Sequence, residues 1–450
     1  MTKNDIVNLE ITSLTSEGSG VGRHDGMAVF VPFTAVGDII RCRIVKALKN
    51  YAFGKIEEII TPSPDRTDSR CSVFGKCGGC VFRHITYEAE LRAKEQIVRD
   101  AFERLGKNLA PEFLPIIGSE RSEGYRNKLQ MPLARCESGA YCGFFAPRSH
   151  RVIGVERCLL QPDIFAEITR FVTEYINKRH ISIYSEEKHE GVLRHIFLRK
   201  GYYSDEICLC IVARKKIPEF SGLAESVTKN FPQITGVVLN INSEKTNVIL
   251  GDKEIVLKGR AEIYDTMCGM NVAISPKSFY QVNTPAAERL YKQAAEFAQP
   301  RGKVLLDLYC GAGTIGLSMA WEAKRVIGAE IVPEAVENAK RSAEKNGLSN
   351  TEFICADAGQ AADALAEKGL NPDVIILDPP RKGCNEETLA ACAKMSPERI
   401  VMISCNPATA ARDCERLLEL GYKTEKVRAF DLFPRTGHVE CVVLMSRVEK

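Results

Sequence analysis

Val401-Met402-Ile403-Ser404-Cys405-Asn406-Pro407 is an apolar run that ends in a cysteine, with Asn-Pro to stop it. A thiol at the carboxyl end of a buried strand sits where open α/β sheets carry their chemistry. Upstream, Val374-Ile375-Ile376-Leu377 runs into Asp378-Pro379-Pro380-Arg381-Lys382-Gly383. Further upstream lies a glycine loop, Asp307-Leu308-Tyr309-Cys310-Gly311-Ala312-Gly313-Thr314-Ile315-Gly316. Three strand ends thus carry a loop of the adenosine-cofactor type, an acid and a nucleophile. The pattern predicts strands over 303–308, 325–329, 352–355, 374–377 and 400–404, separated by helical stretches. Such alternation implies a doubly wound, largely parallel sheet. Two further strand candidates, 425–430 and 439–445, follow.

Working outward, 450 residues with 45% hydrophobic content suit two or three domains with sizeable cores. The net charge of +3 argues neither for nor against nucleic acid. No stretch is long and apolar enough to span a membrane, and no apolar signal core follows Met1-Thr2-Lys3-Asn4-Asp5. The expectation is a cytosolic protein without a membrane partner. Seventeen cysteines in a reducing compartment are then divided among metal binding, catalysis and packing rather than disulfides.

Residues 1–60 read as a small β-barrel, with a glycine-rich turn at Glu17–Gly22 and strands over 27–31 and 39–46. Thr61-Pro62-Ser63-Pro64-Asp65 reads as a linker. Residues 61–265 form a central α+β domain. It opens on a cysteine segment and an amphipathic helix over 86–105, with Leu91, Ile97, Val98, Ala101 and Phe102 on the apolar side. It continues with a helix over 164–178 and strands over 194–198, 207–212 and 236–241. Residues 266–450 form the catalytic α/β domain.

In the glycine loop the backbone can approach a ligand closely, and the helix that follows favours polar groups at its N-terminus. Glu330 ends the next strand 17 residues after Gly313, where a carboxylate can accept both ribose hydroxyls. An NAD-dependent oxidoreductase shows nearly the same loop. Asp378-Pro379-Pro380 and a strand-end cysteine separate the two readings, because hydride transfer requires neither. Carbon-5 of uracil is too weak a nucleophile to take a methyl group directly. A thiolate added at carbon-6 makes carbon-5 nucleophilic, and a base must then remove the carbon-5 proton. Cys405 suits the first role. Glu440, in Phe433-Pro434-Arg435-Thr436-Gly437-His438-Val439-Glu440, suits the second, with His438 as the alternative.

Phe279-Tyr280-Gln281-Val282-Asn283, the glycine loop, Asp378–Gly383, Ser404–Pro407 and His438–Glu440 occur together in one order along nearly the whole chain. As a set they resemble the S-adenosylmethionine-dependent RNA uracil-5 methyltransferases, which act on 23S ribosomal RNA or on the T-loop of transfer RNA. The resemblance implies that Gln281, Tyr309, Glu330 and Asp378 hold the cofactor, that Cys405 is the nucleophile and that Glu440 is the base. It also implies that residues 1–60 are a TRAM domain, the RNA-binding barrel of many ribosomal RNA members.

Cys71-x5-Cys77-x2-Cys80 gathers three thiols on one short loop. Softness suits zinc and an iron–sulfur cluster equally, and spacing favours zinc slightly. The resemblance reverses this and implies a [4Fe–4S] cluster held by Cys71, Cys77, Cys80 and Cys158, with Cys136 and Cys142 as competing fourth ligands. The two histidines of His189–His195 stand six apart, not four, which rules out a helical zinc-protease pair.

Residues 1–60 carry seven Lys/Arg against seven Asp/Glu, so charge alone does not mark them as RNA-binding. Residues 121–160 carry Arg121, Arg126, Lys128, Arg135, Arg148, Arg151 and Arg157 against three glutamates, interleaved with Tyr125, Tyr141, Phe144 and Phe145. Cations for phosphate and aromatics for stacking suit single-stranded RNA. Lys277 and Arg381 lie nearer the expected site. The leading expectation is a monomeric 23S ribosomal RNA uracil-5 methyltransferase acting on a flipped uridine. The barrel and cysteine loop favour that substrate over transfer RNA. A non-catalytic RNA-binding factor with a cofactor fold is the third reading.

Overall fold

The computed structural model describes residues 1–106 and 108–448. The chain opens with β1 (Ile6–Leu14), β2 (Ser19–His24), β3 (Met27–Pro32), β4 (Ile39–Ala47) and β5 (Tyr51–Thr61), then α1 (Tyr87–Leu105) and β6 (Glu112–Ile117). Next come β7 (Lys128–Cys136), β8 (Gly139–Phe145), β9 (Val152–Gly154), α2 (Asp163–Lys178), β10 (Leu193–Lys200), β11 (Ile207–Ala213), α3 (Glu219–Asn230), β12 (Ile234–Ile241) and β13 (Lys253–Gly259). A hairpin, β14 (Ile263–Met267) and β15 (Met270–Ile274), leads to α4 (Thr284–Ala298). Strand–helix alternation follows: β16 (Val304–Leu308), α5 (Thr314–Met319), β17 (Arg325–Glu330), α6 (Pro333–Lys345), β18 (Thr351–Cys355) and α7 (Ala358–Glu367). The chain closes with β19 (Val374–Leu377), α8 (Glu386–Lys394), β20 (Arg399–Ser404), α9 (Pro407–Glu419), β21 (Tyr422–Phe430) and β22 (Glu440–Arg447).

Two compact units divide the chain: residues 1–122, 296–298 and 362–450, and residues 123–295 and 299–361. In the first, β1-β2-β3-β5-β4 close into a barrel. Period-2 alternation points Val7, Leu9 and Ile11 of β1 inward, against Val29, Val31, Ile40 and Ile44. The expected turn at Glu17–Gly22 is largely strand. Gly20 pairs with Val31 inside β2. A Cβ there would collide with Thr34 Oγ1 and stand 2.7 Å from Ile11 Cγ2, so the glycine supplies clearance inside a narrow barrel rather than a turn. The expected linker is also pinned. Asp38, fully buried, accepts from Ser63 N at 2.9 Å, from Ala35 N at 2.6 Å and from two nitrogens of Arg66.

The same unit carries strands in the order β19-β20-β22-β21-β6. β19 and β20 run parallel, whereas β22 is antiparallel to both β20 and β21. Asn406 caps α9 by accepting from Ala408 N at 3.2 Å, with Pro407 at the first helical position. Asn-Pro therefore both ends β20 and starts α9. Helix α1 begins where Thr86 accepts from Ala89 N.

In the second unit, a seven-stranded sheet runs β13-β12-β11-β10-β7-β8-β9. Its central strands β10 and β11 are buried almost throughout. Parallel strands β16, β17 and β18 form the glycine-loop portion, with β17 between the other two. Among the described residues, no helix is long and apolar enough to cross a membrane.

Burial opposes the ionised form of Asp38, but the Arg66 guanidinium and the amides of Ala35 and Ser63 hold its carboxyl below the usual range. A depressed folded pKa gives stability that is complete above the unfolded value and lost as pH falls through the folded one. Asp38→Ala is expected to cost about 1.5–3 kcal/mol by urea denaturation at pH 7, with a smaller difference in acid.

Candidate active site

The first unit assembles a thiol, two carboxyls and a cation. Ser404 pairs with Cys441 across β20 and β22. The ladder ends there, so Cys405 directly follows the last paired residue of β20 and Glu440 directly precedes Cys441 on β22. Glu440 is only 8% exposed, and Cys405 is half-buried. Burial pushes the Glu440 carboxyl up to about 8, with Asp378 adding to the rise and Arg381 opposing it. Burial alone pushes the Asp378 carboxyl up to about 7. The Cys405 thiol is raised by burial first, then by Glu440 and Asp378, against the pull of Arg381. Cys405, Glu440 and Asp378 thus lie within one another's fields.

Cys405 lines a cavity of about 680 Å³ together with Asn406, Arg381 and His438, with Arg104 of α1 and Glu17 of the barrel on its rim. That volume suits a ligand of nucleoside size or larger. His438 is exposed, its Nδ1 3.4 Å from Arg381 Nη2 and its ring set edge-on to Phe433. Helix α9 clamps the Arg381–Cys384 turn. Arg412 donates to the Lys382 carbonyl at 2.9 Å, Asp413 accepts from Cys384 N at 2.7 Å and Asn406 donates to the Arg381 carbonyl at 3.0 Å. Gly383 has φ +78°, and a Cβ there would collide with Arg412 and Asp413.

The loop that delivers Glu440 hangs from a buried charge cluster. Lys94 Nζ donates to Glu90 at 2.7 Å, to Asp431 at 2.8 Å and to the Phe433 carbonyl at 3.1 Å. Lys94, Glu90 and Asp431 side chains are fully buried. Glu90 also accepts from Arg435 N at 2.6 Å, and Asp431 accepts from the Tyr87 hydroxyl at 2.8 Å. Arg435 sits at φ +70°, and its carbonyl takes the amides of Val81 and Phe82.

The second unit holds the glycine loop. Tyr309 at φ +62° and Gly311 at φ +56° turn the chain sharply at the end of β16. Glu330 accepts from Gly311 N at 3.1 Å and from Val332 N at 2.9 Å. Each carboxylate oxygen retains a second lone pair for a ligand hydroxyl. A Cβ on Gly313 would press on Phe353 and Ala339, whereas one on Gly311 would meet nothing within 4 Å. One side of the loop is therefore packed and the other open, as an adenosine-type ligand requires. Half-buried Gln281 has its carbonyl held by Asn127 Nδ2 at 2.9 Å.

Comparison with known proteins gives this arrangement a context. The family model for tRNA (uracil-5-)-methyltransferase matches residues 86–448, and the TRAM domain model matches residues 2–56. The chain belongs to the uracil-5-methyltransferase family. An RNA methyltransferase of Halalkalibacterium halodurans, itself uncharacterized, is 43% identical over 99% of this chain and 98% of its own. One from Clostridium tetani is 42% identical over 99% and 97%. The crystal structure of Pyrococcus abyssi tRNA (uracil-54, C5)-methyltransferase in complex with S-adenosyl-L-homocysteine matches with a TM-score of 0.78 at 26% identity, covering 98% of this chain and all of that one. The protein is thus an S-adenosylmethionine-dependent RNA uracil-5 methyltransferase with a TRAM barrel.

All seventeen cysteines of this uracil-5 methyltransferase are free thiols. Cys71, Cys77 and Cys80 lie on one loop, where burial first, and Cys77 and Cys71 after it, raise the Cys80 thiol against the pull of Arg83. Arg83 Nε donates to Cys80 Sγ at 3.4 Å. Among the described residues, no group of three or more His, Cys, Asp or Glu is arranged to hold a metal ion. Cys158 belongs to the second unit. Cys136 and Cys142 line a different cavity there, of about 730 Å³, and Cys142 accepts from the Thr173 hydroxyl.

Sequence reasoning missed Glu90, Lys94 and Asp431. The i,i+4 pair Glu90–Lys94 reads as a solvated helix face, yet it is the buried one. Leu91, Ile97 and Ala101, expected on the apolar side, are only half-buried. The signal available was the pair's alignment with Val98 and Phe102 at helical spacing. Removing one partner of a buried ion cluster leaves uncompensated charge. Lys94→Met is therefore expected to cost about 3–5 kcal/mol in chemical denaturation.

Proposed function

We propose that this enzyme methylates carbon-5 of a specific uridine in 23S ribosomal RNA through a covalent adduct between Cys405 and the base. The observation that carries the reading is the Cys405 thiol on the wall of a nucleoside-sized cavity, within the fields of Glu440, Asp378 and Arg381. The TRAM barrel and the cysteine loop support the ribosomal substrate. The T-loop uridine of transfer RNA is the second reading, favoured by the likeness to the Pyrococcus abyssi enzyme, which spans the barrel as well.

In the proposed reaction, the flipped uracil enters the cavity above Cys405. The Cys405 thiol gives up its proton to an ionised carboxylate beside it, and the positive Arg381 favours the thiolate. The thiolate adds to carbon-6, and negative charge develops across carbon-5 and the carbon-4 oxygen. Gln281, Tyr309, Glu330 and Asp378 would hold the cofactor, whose sulfonium would supply the methyl group to carbon-5 and leave as the neutral thioether. Ionised Glu440 then takes the carbon-5 proton, and the Cys405–carbon-6 bond breaks to release the thiolate and the methylated base. In this division of labour, residues 1–60 grip RNA, 61–265 support it and 266–450 carry out the chemistry. The enzyme acts as a cytosolic monomer.

The test is incubation with cofactor and either 23S fragments or transfer RNA containing 5-fluorouridine, followed by peptide mass spectrometry. Fluorine blocks proton removal, so a methylated adduct on Cys405 should accumulate with the true substrate. Cys405→Ala should give none. Glu440→Gln should trap the adduct on ordinary uridine and slow turnover about 10²–10⁴-fold. A carboxyl with a pKa of about 8 is only about one-tenth ionised at pH 7, so turnover should rise with pH through 8. An adduct on another residue, or none with either RNA, would sink the proposal.

Cys71, Cys77, Cys80 and Cys158 would hold a [4Fe–4S] cluster in a structural role. Three thiols on one ten-residue loop, with the Arg83 guanidinium donating to Cys80 Sγ, fit a thiolate-rich centre in donor chemistry. Anaerobically purified protein should contain iron and acid-labile sulfide in equal amounts, both lost in Cys80→Ser. Metal without sulfide would indicate zinc instead.

A further inference from the structure

Strands β7 and β10 pair antiparallel, and Lys128 stands directly opposite Arg199. Like charges in that position repel and cost stability. Phe197 lies two residues along on the same face, 5.5 Å from Lys128 Nζ and 5.8 Å from Arg199 Cζ at its ring centroid. Arg126 adds a third cation. The neighbouring charges that act on Lys128 are those of Arg199 and Arg126, which with burial push its ammonium down to about 8.

Arg199 is only 2% exposed, and its Nε and Nη1 are buried without a hydrogen-bond partner. Only Nη2 is used, donating to the Ser278 carbonyl at 2.5 Å. Nearby acids are committed elsewhere. Asp265 accepts from the amides of Tyr202, Tyr203 and Ser204 and from the Tyr280 hydroxyl, and Asp205 pairs with Lys200. Among the described residues, no carboxylate pairs with Arg126, Lys128 or Arg199. A buried guanidinium left unpaired is costly, and such a group calls for an explanation such as a missing ligand.

The cluster also borders the Phe279–Asn283 motif. Asn127, between Arg126 and Lys128, donates its backbone N–H to the Val282 carbonyl and its side chain to the Gln281 carbonyl. Arg126 and Lys128 are half-buried and open to solvent.

We propose that Arg126, Lys128 and Arg199 receive one backbone phosphate of the RNA substrate, Arg126 and Lys128 by contact and Arg199 by its charge from behind. This rests on the reading of the protein as an RNA methyltransferase. A polyanion offers a phosphate at every nucleotide, and one phosphate offsets the three cations better than any group the chain supplies. A carboxylate, such as that of the cofactor, is the other anion that could sit there.

The test measures affinity for a transfer RNA T-arm and for a 23S fragment against salt concentration, in wild type and in Lys128→Met, Arg199→Met and Arg199→Lys. Loss of the Lys128 contact should make the slope of log affinity against log salt shallower by about 0.7–1, and loss of the Arg199 charge behind it should make the slope shallower by less. Arg199→Lys should restore it. Single methylphosphonate substitutions should reveal one position that weakens wild type but not Lys128→Met. Cofactor affinity without RNA should be unchanged throughout. Unaltered salt slopes in folded variants would overturn the proposal, and so would a loss of cofactor affinity with the slope intact. If Arg199→Met does not fold, Lys128→Met, at a more exposed position, decides the matter. Wild type that binds neither RNA would instead overturn the RNA reading itself.

Discussion

A lysine ammonium with no exposure to solvent holds the loop that leads to Glu440 in place. Lys94 reaches from α1 to Glu90, Asp431 and the Phe433 carbonyl. Asp431 directly follows β21, and Glu440 opens β22, so the whole intervening loop is suspended from that contact. Arg435 fastens the middle of the loop, with its amide on Glu90 and its carbonyl on Val81 and Phe82. At Gly437 any side chain would strike the backbone of Ser16 in the barrel. Buried ions are weak sources of net stability, but they tolerate few alternative arrangements. Here the arrangement they select presents Glu440 to Cys405.

The electrostatics of the site follow from the same enclosure. Glu440 and Asp378 are both raised by burial, so much of their population is protonated at neutral pH. The raised thiol of Cys405 matches them. The resting site therefore carries less charge than its formal count, and Arg381 biases which group ionises. Two carboxyls and a thiol within one another's fields titrate together rather than singly.

Much of the architecture was legible because period and punctuation agree. The apolar runs ending at Leu308, Leu377 and Ser404 are strands, each followed by one of the motifs that the sequence singled out. Helix α1 lies within one residue of its expected bounds. Illegible features depended on distant partners. Gly20 read as part of a turn because the barrel wall that excludes a side chain there is formed by Ile11 and Thr34. Ser63 read as linker because Asp38 holds it from 25 residues away. Lys94 and Arg199 were not singled out, since nothing local marks a charged residue as buried.

Lys94 and Asp431 are 337 residues apart in sequence. At about 5–20 residues per second, a ribosome needs tens of seconds to synthesise the stretch between them. Throughout that interval α1 carries its ammonium and the Glu90 carboxylate without the partner that completes their burial. The loop bearing Glu440 cannot seat until Asp431 arrives. The nascent chain thus completes the setting of Cys405 and Glu440 late in synthesis, and a product interrupted before residue 431 would be left without it.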